Sequence, residues 1–181
     1  MITPFSVLDT RTKEWKKRKD YWITNYGIQS ELGRENTQSK TIFWDSPTNV
    51  SIFDPVLCEL MYDWFVPKGG KILDPFAGGS VRGIVAEEMG FSYLGIDLSE
   101  EQIIANRKQS SKPKWIVGDS KKMIFGLQQQ FDFIFTCPPY YDLEVYSDNP
   151  ADLSQMSEGE FDMNLESVIK QSKIRLNDNR F

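Results

Sequence analysis

The sequence contains no histidine, and among its 181 residues only Cys58 and Cys137 are cysteines. A catalytic triad built on histidine and a histidine-ligated metal are therefore excluded. Two cysteines do not make the framework of a disulfide-stabilised domain, and the chain shows no cluster with metal-ligand spacing. We predict that the protein has no metal site and that it belongs to a reducing compartment, the cytoplasm.

Long apolar segments are also missing. No run reaches the roughly 18 apolar residues that a membrane span requires, and the N-terminal residues show no hydrophobic segment typical of a signal peptide. We therefore expect no membrane partner. The hydrophobic share of 40% and the charged share of 26% match a soluble globular domain of ordinary size.

An overall positive charge is absent as well, because the formal net charge is −5. This argues against a general electrostatic surface for nucleic acid but leaves room for a local basic patch. Such a patch lies near the N-terminus, where basic residues alternate with Trp15 and Trp22. It has two interpretations: a segment that tracks a phosphate backbone and stacks bases, or a surface helix whose tryptophans pack inward. We predict an irregular extension over residues 1–40 and one catalytic domain over residues 41–181.

The most informative stretch reads KILDPFAGGS and occupies residues 71–80. A short strand is predicted up to Asp74, and Pro75 ends it because proline has no backbone N–H to donate. A glycine turn follows, and an apolar helical period begins after Ser80. A strand, a glycine turn and a helix in this order direct backbone N–H groups at a ligand over the end of the strand.

Each of three further predicted strands ends at residues that can bind a ligand or take part in catalysis. The second ends at Asp97, 18 positions after Gly79, near the spacing of a ribose-binding carboxylate in nucleotide-binding βαβ units. An acid that only caps the next helix would also explain Asp97. The third ends at Asp119. The fourth is predicted over residues 131–135 and leads into Cys137, Pro138, Pro139 and Tyr140. Strands alternating with helices predict an α/β fold with a parallel sheet, whose strand ends lie at one edge.

The glycine turn after the first predicted strand and the Cys-Pro-Pro-Tyr segment after the fourth together resemble the motifs of S-adenosylmethionine-dependent DNA amino-methyltransferases. These enzymes methylate adenine at N6 or cytosine at N4. The DPFAGG segment at residues 74–79 is similar to the family's cofactor motif, and the CPPY segment at residues 137–140 is similar to its catalytic motif. The chain is also similar to phage-type DNA methylases. The resemblance implies a Rossmann-like methyltransferase fold, S-adenosyl-L-methionine as cofactor, DNA as partner, and DNA methylation such as that of restriction–modification systems.

The resemblance also implies a role for each matching residue. The methionine end of the cofactor is expected to lie against Asp74, Phe76, Ala77 and Gly78 and against the segment that begins at Phe53. Pro75 and Gly79 are also expected to bind the cofactor. Asp97, followed by Leu98, is expected to hold the ribose hydroxyls, and Asp119 with Ser120 to meet the adenine edge. The residues expected to hold the target base are Cys137, Pro138, Pro139 and Tyr140.

The chemistry of amine methylation is consistent with this last group. No covalent nucleophile is required, because the exocyclic amine itself attacks the methyl group, and carbonyl acceptors near its N–H groups stabilise the developing charge. An aromatic ring at Tyr140 can stack on a base flipped out of the duplex. Cys137 departs from the family, which usually has Asp, Asn or Ser there, and sulfur is a weak acceptor. Thr136 or a backbone carbonyl is the alternative acceptor at this position.

The number of strands is the second departure from the family. Seven strands are usual, whereas this sequence supplies four, so the resemblance implies that the C-terminal strands and the target-recognition domain are missing. The fourth strand would then keep an unpaired edge that favours a homodimer or a complementing chain. Two other functions stay open: a methyltransferase acting on RNA, protein or a small molecule, and a catalytically inactive fragment that binds cofactor or DNA.

Overall fold

The structure is a computed structural model, and it describes residues 8–28, 38–39, 53–141 and 144–181. The described elements, in chain order, are α1 (Lys13–Tyr26), β1 (Gln38–Ser39), α2 (Pro55–Phe65), β2 (Lys71–Asp74), α3 (Val81–Glu88), β3 (Ser92–Asp97), α4 (Glu100–Gln109), β4 (Lys114–Val117), α5 (Ser120–Gly126), β5 (Phe133–Ile134), β6 (Glu144–Val145) and α6 (Glu158–Ile174). None of the helices in these ranges is both long and apolar enough to span a membrane.

Four parallel strands form the central sheet, in the order β4-β3-β2-β5. Successive strands therefore step outward from β2 to β4, and the chain then returns to the other side of β2 for β5. The order reverses between β2 and β5, and in open α/β sheets ligands bind beyond the carboxyl ends of the strands at such a point. The predicted α/β fold with a parallel sheet is confirmed.

Local sequence signals account for the ends of several helices. The Asp54 carboxylate accepts a hydrogen bond from the Val56 backbone N–H at 2.9 Å, and Pro55 occupies the first helical position, where a missing N–H costs nothing. Ser157 and Glu160 form a capping box at the start of α6. Gly90 ends α3 with φ of +80°, a conformation that suits glycine.

The sheet is buried on both faces by apolar side chains. One face packs against α2, α3 and α4, with α1 against α2, and its core includes Tyr62, Ile72, Val85, Tyr93 and Trp115. The other face packs against α5 and α6, and its core includes Leu73, Leu94, Ile96, Ile124 and Val168. Strands β2 and β3 lie between these layers, so their carboxyl ends are held rigidly.

The prediction of an irregular extension over residues 1–40 is wrong for Lys13–Tyr26, which form a helix. Trp15 and Trp22 are buried against the rest of the chain, as the surface-helix interpretation expected. Much of the segment lies outside the described residues, and the boundary at residue 40 stays a prediction. Within it, β1 pairs antiparallel with β6 and so lies beside the chain that follows the CPPY segment.

The outer edge of β5 differs from the prediction of an unpaired edge. Phe131, just before β5, donates its backbone N–H to the Arg175 carbonyl at 2.8 Å and lies in a parallel bridge with Leu176. Ile134 donates to the Phe181 carbonyl, also at 2.8 Å. Residues 175–181 therefore cover this edge in part, because the chain leaving α6 returns alongside β5.

Candidate functional site

The carboxyl ends of β2, β3, β4 and β5 bring the predicted site residues to one edge of the sheet. The turns that follow these strands are joined to one another by hydrogen bonds. The Ala77 backbone N–H donates to the Ile96 carbonyl at 2.9 Å, and the Gly118 N–H donates to the Asp97 carbonyl at 2.8 Å. These bonds hold the glycine turn, the turn after β3 and the turn after β4 side by side.

Asp74 lies beneath this edge as a fully buried carboxylate with 0% exposure. One of its oxygens accepts hydrogen bonds from Arg82 Nε at 2.5 Å and from the Tyr93 hydroxyl at 2.6 Å. The other accepts from the Thr136 hydroxyl at 2.7 Å and from the Phe76 backbone N–H at 3.2 Å. With both oxygens bonded inside the protein, Asp74 supports the site from below and does not face its surface.

Arg82 is the cationic partner in this buried cluster. Its terminal nitrogen also donates to the Phe76 carbonyl at 2.7 Å and to the Ala77 carbonyl at 2.9 Å. Burial opposes the charge on Arg82, but the adjacent Asp74 carboxylate outweighs that effect and raises the pKa of the guanidinium. The guanidinium carbon lies 4.5 Å from the centre of the Phe53 ring. Arg82 thus fixes the peptide planes of the glycine turn.

Gly78 is held on both sides of the turn. Its backbone N–H donates to the Asp97 carboxylate at 2.7 Å, and its carbonyl accepts from the Asn106 side chain at 2.7 Å. Its φ of +49° lies in the left-handed region, which glycine adopts without strain. The second Asp97 oxygen accepts from the Ser99 N–H at 2.8 Å. Asp97 is half-buried, so its carboxylate links the glycine turn to α4 and also borders the open edge.

Asp119 and Ser120 follow β4 and differ in their exposure. Asp119 is half-buried and caps α5, accepting a hydrogen bond from the Lys121 backbone N–H at 3.0 Å. Ser120 is buried, and its hydroxyl donates to the Pro75 carbonyl. Asp119 therefore borders the open edge, whereas Ser120 ties the turn after β4 to the turn after β2.

The CPPY segment leaves β5 through Thr136. The Thr136 hydroxyl donates to Asp74 and accepts from the Phe76 N–H at 3.0 Å, so it joins the end of β5 to the glycine turn across the point where the strand order reverses. Beyond it, Pro138 and Pro139 are half-buried, and Cys137 is exposed. The Tyr140 side chain is 58% exposed at the same edge.

Phe53 borders the site from the side of α2. Its ring meets the Phe135 ring edge-on at 5.5 Å, directly before Thr136. Phe76 and Leu98 are half-buried within the turns after β2 and β3. Of the residues predicted for the site, Asp97, Asp119 and Tyr140 thus border the open edge, whereas Asp74, Pro75, Ala77 and Ser120 are buried beneath it.

The sequence reasoning missed Arg82, Tyr93 and Asn106. Arg82 follows Val81 in a helix whose apolar period is regular, so nothing in that period marks it as buried. Tyr93 was assigned to a strand with no role for its hydroxyl. Asn106 lies one turn after Gln102, and the Gln102 side chain donates to it at 3.0 Å. A polar pair at this spacing on a buried helix face is the signal that was available for Asn106.

Metal chemistry has no site in the part of the chain that the structure describes. There, no group of three or more histidine, cysteine, aspartate or glutamate side chains could hold an ion. Cys58 is buried, and burial raises the pKa of its thiol, so it stays a neutral core residue.

Comparison with known proteins supports the fold and a broad class of activity. No protein-family model matches the chain. Among curated proteins, the chain is 34% identical over 96 residues to YqeM of Bacillus subtilis (strain 168), a protein named provisionally as a methyltransferase. The alignment covers 48% of this chain and 39% of YqeM, so the chain spans well under half the length of that relative.

Solved structures with similar folds include two bacterial proteins. A SAM-dependent methyltransferase from Agrobacterium tumefaciens aligns with a TM-score of 0.54 and 17% identity, over 80% of this chain and 50% of its own. TehB from Haemophilus influenzae aligns with a TM-score of 0.53 and 17% identity, over 90% of this chain and 43% of its own. The chain therefore has the Rossmann-like fold of such methyltransferases, with the four strands described above.

Proposed function

We propose that this chain provides the cofactor-binding and catalytic part of an S-adenosyl-L-methionine-dependent methyltransferase that acts on an exocyclic amine of adenine or cytosine in DNA. The fold, the name of YqeM and the name of the Agrobacterium neighbour support methyl transfer from this cofactor. The choice of a nucleobase amine depends on the CPPY segment, which these relatives' names do not address.

One observation carries the proposal. Phe76 directly precedes the glycine turn and Thr136 directly precedes the CPPY segment; these two residues are 60 positions apart in the chain and are joined by the hydrogen bond from the Phe76 N–H to the Thr136 hydroxyl. A methyl donor on the glycine turn and an acceptor base on the CPPY segment would therefore meet at the reversal of strand order, which is where open α/β sheets bind ligands. Direct transfer between two substrates needs such proximity.

The exposed groups suit a nucleoside-containing cofactor. Asp97 and Asp119 are half-buried acceptors on neighbouring turns, and they can receive hydrogen bonds from ribose hydroxyls and from an adenine amine. The left-handed Gly78 allows a ligand to approach the backbone closely. Asp74 and Ser120 are buried and bonded internally, so in this proposal they hold the turns in place instead of touching the cofactor.

The chemistry that the cofactor supplies is an electrophilic methyl group on a sulfonium, which the target amine displaces while the carbon–sulfur bond breaks. The protein's part is positioning and electrostatics. The backbone carbonyls of Pro138 and Pro139 accept hydrogen bonds from the amine as its positive charge develops, and neither proline has an N–H that competes as a donor. The exposed Tyr140 ring stacks on the flipped base, and its face stabilises that charge. The proton released from the amine passes to solvent.

The test is a methyl-transfer assay with radiolabelled cofactor and unmethylated DNA, followed by mass spectrometry of the nucleosides. We expect label in N6-methyladenine or N4-methylcytosine. Tyr140→Ala should lower the rate roughly tenfold to a hundredfold, because base–aromatic stacking contributes about 1–3 kcal/mol. Calorimetric affinity for S-adenosylhomocysteine should stay the same in that variant.

Two results would overturn parts of the proposal. Cofactor binding together with label in RNA, protein or a small molecule, but none in DNA, would reject the substrate and keep the methyltransferase. Absence of cofactor binding by the folded chain would reject the assignment of the glycine turn.

A further inference from the structure

Among the residues that the structure describes, the hydrogen bonds that join α1 to α2 lie along one side of α1. On that side the Trp15 indole N–H donates to Asp54 at 3.1 Å, and the Trp22 indole N–H donates to Glu59 at 2.7 Å. Arg18 also donates to Glu59, with one bond at 2.8 Å. Both tryptophans are buried, so aromatic stacking of Trp15 or Trp22 on a base is excluded in this arrangement.

The opposite side of α1 carries Lys13, Lys16 and Lys17, which we call the α1 lysine face. All three side chains are exposed. Their spacing of three and four residues places them on one side of a helix. Residues 9–20 contain six basic and three acidic side chains, whereas the whole chain has a net charge of −5. Positive charge is thus concentrated on this helix in an otherwise acidic protein.

The contacts of α1 connect its amino-terminal half to the strand end that leads into the candidate site. Trp15, between Lys13 and Lys16, bonds to Asp54 at the start of α2. The neighbouring Phe53 contacts the Phe135 ring, which directly precedes Thr136 and the CPPY segment. The amino-terminal half of α1 is therefore linked through Asp54 and Phe53 to the end of β5, from which the CPPY segment continues.

We propose that the α1 lysine face binds the phosphate backbone of double-stranded DNA and so positions the duplex over the CPPY segment. This inference rests on the proposed function, because it requires DNA as the substrate. Three exposed ammonium groups in a row match the sequence-independent contacts that lysines make to phosphates. A single cationic stripe close to the site would offset the repulsion between the acidic chain and DNA.

The experiment compares two triple variants with the same change of charge. One is Lys13→Gln, Lys16→Gln and Lys17→Gln on the lysine face. The other is Lys68→Gln, Lys71→Gln and Lys114→Gln, which are exposed residues near the amino ends of β2 and β4, at the opposite edge of the sheet. Binding of each protein to a fluorescent duplex of about 20 base pairs is measured by anisotropy between about 50 and 200 mM salt, the range over which phosphate binding weakens steeply. Circular dichroism checks that each variant is folded.

We expect the slope of log affinity against log salt to fall in magnitude by about 0.9 for each phosphate that is no longer neutralised, or nearly 3 for the lysine-face variant. The control variant should keep the slope of the unmodified protein. An equal change in both variants would overturn the proposal and indicate that only net charge matters. No change in the first variant would overturn it as well, because the lysine face would then make no phosphate contacts. If the lysine-face proposal is overturned in this way while the protein still methylates DNA, the proposed function stands.

Two further outcomes would show that DNA is not the partner of this protein. If the unmodified chain binds cofactor but neither binds nor methylates DNA, the DNA substrate and the lysine face both fail. If an RNA duplex or single-stranded RNA binds more tightly than DNA, and the lysine-face variant loses that binding alone, the partner is RNA and the inference is wrong as stated.

Discussion

At the scale of single residues, the geometry of the candidate site depends on a buried ion pair beneath it. Asp74 and Arg82 connect the end of β2, the first turn of α3 and the carbonyls of Phe76 and Ala77. Tyr93 and Thr136 complete the bonding of the carboxylate. The cluster is fully used inside the protein, so its function is to hold the glycine turn and the start of the CPPY segment in one geometry.

The first prediction concerns Arg82→Met, which keeps most of the length of the side chain and removes its charge. It should lower the free energy of unfolding by about 3–5 kcal/mol, because the buried Asp74 carboxylate loses its counterion. Urea denaturation followed by circular dichroism measures the change. The double variant Arg82→Met, Asp74→Asn should recover part of the loss. A decrease below about 1 kcal/mol in the single variant, the size of an exposed ion pair, would show that the pair contributes little.

The second prediction concerns Asp97→Ala. We expect affinity for S-adenosylhomocysteine to fall by about 1–3 kcal/mol, the range for losing hydrogen bonds to a charged group. The matched control is Asn106→Ala, which removes the partner of the Gly78 carbonyl and leaves the carboxylate in place. Calorimetry that gives equal losses for both variants would assign the effect to the shape of the glycine turn. Unchanged affinity in Asp97→Ala would reject contact with the ribose.

At the scale of elements, α1 is held to α2 by charged and aromatic groups that meet on one side. Glu59 accepts hydrogen bonds from Arg18 and from the Trp22 indole. Burial opposes ionisation of Glu59, but these hydrogen bonds outweigh it and lower the pKa of the carboxyl group. Because the pKa is lower in the folded protein than in the unfolded chain, ionised Glu59 stabilises the fold at neutral pH.

The third prediction follows from that shift. The stabilisation by Glu59 is present above the pKa of an unfolded glutamate and is lost as the pH falls through the folded value. On acidification below about pH 4.5, which is near the ordinary glutamate pKa, the α1–α2 contact should weaken, and tryptophan fluorescence should report the exposure of Trp22. Glu59→Gln should remove this component of the pH dependence. Glu160→Gln is the control, because Glu160 also has a lowered pKa but lies in the capping box of α6. An unaltered profile in Glu59→Gln would contradict the assignment.

At the scale of the whole molecule, the edge of the sheet beside β5 is the place where we predict association with another chain. The backbone bonds from Phe131 and Ile134 to residues 175–181 cover part of an edge that was predicted to be open. An uncovered parallel strand with apolar side chains on both faces would favour pairing with another chain. Pairing through this edge stays a prediction for the homodimer or the complementing chain.

The fourth prediction tests that cover directly. A variant that ends at Arg175 should self-associate more strongly than the full chain, because it lacks the bridge to Leu176 and the bond to the Phe181 carbonyl. Sedimentation velocity over a range of concentrations measures the association. Substituting Phe181→Ala keeps the backbone bond and serves as the control. If both proteins stay monomeric, the edge is protected by something other than these residues.

Features that depend on neighbours along the chain could be predicted before the fold was known. Helix caps at Asp54 and Ser157 join residues two or three positions apart, so their residue types are sufficient to predict them. The spacing of apolar residues and of strand ends likewise predicted a parallel α/β sheet and the edge at which Asp97, Asp119 and Tyr140 lie. Apolar spacing is a weaker guide for α6, where the apolar residue Ile169 is 58% exposed.

The division of these residues into buried supports and exposed site groups depends on the three-dimensional fold. Asp74 receives its hydrogen bonds from side chains 8, 19 and 62 positions later in the chain, and no local pattern encodes such distant partners. The same holds for Ser120, whose partner is the Pro75 carbonyl 45 positions earlier. The order of the strands brings these groups together, because β2 lies between β3 and β5. Burial then makes unbonded polar groups costly, so each of them is paired within the protein.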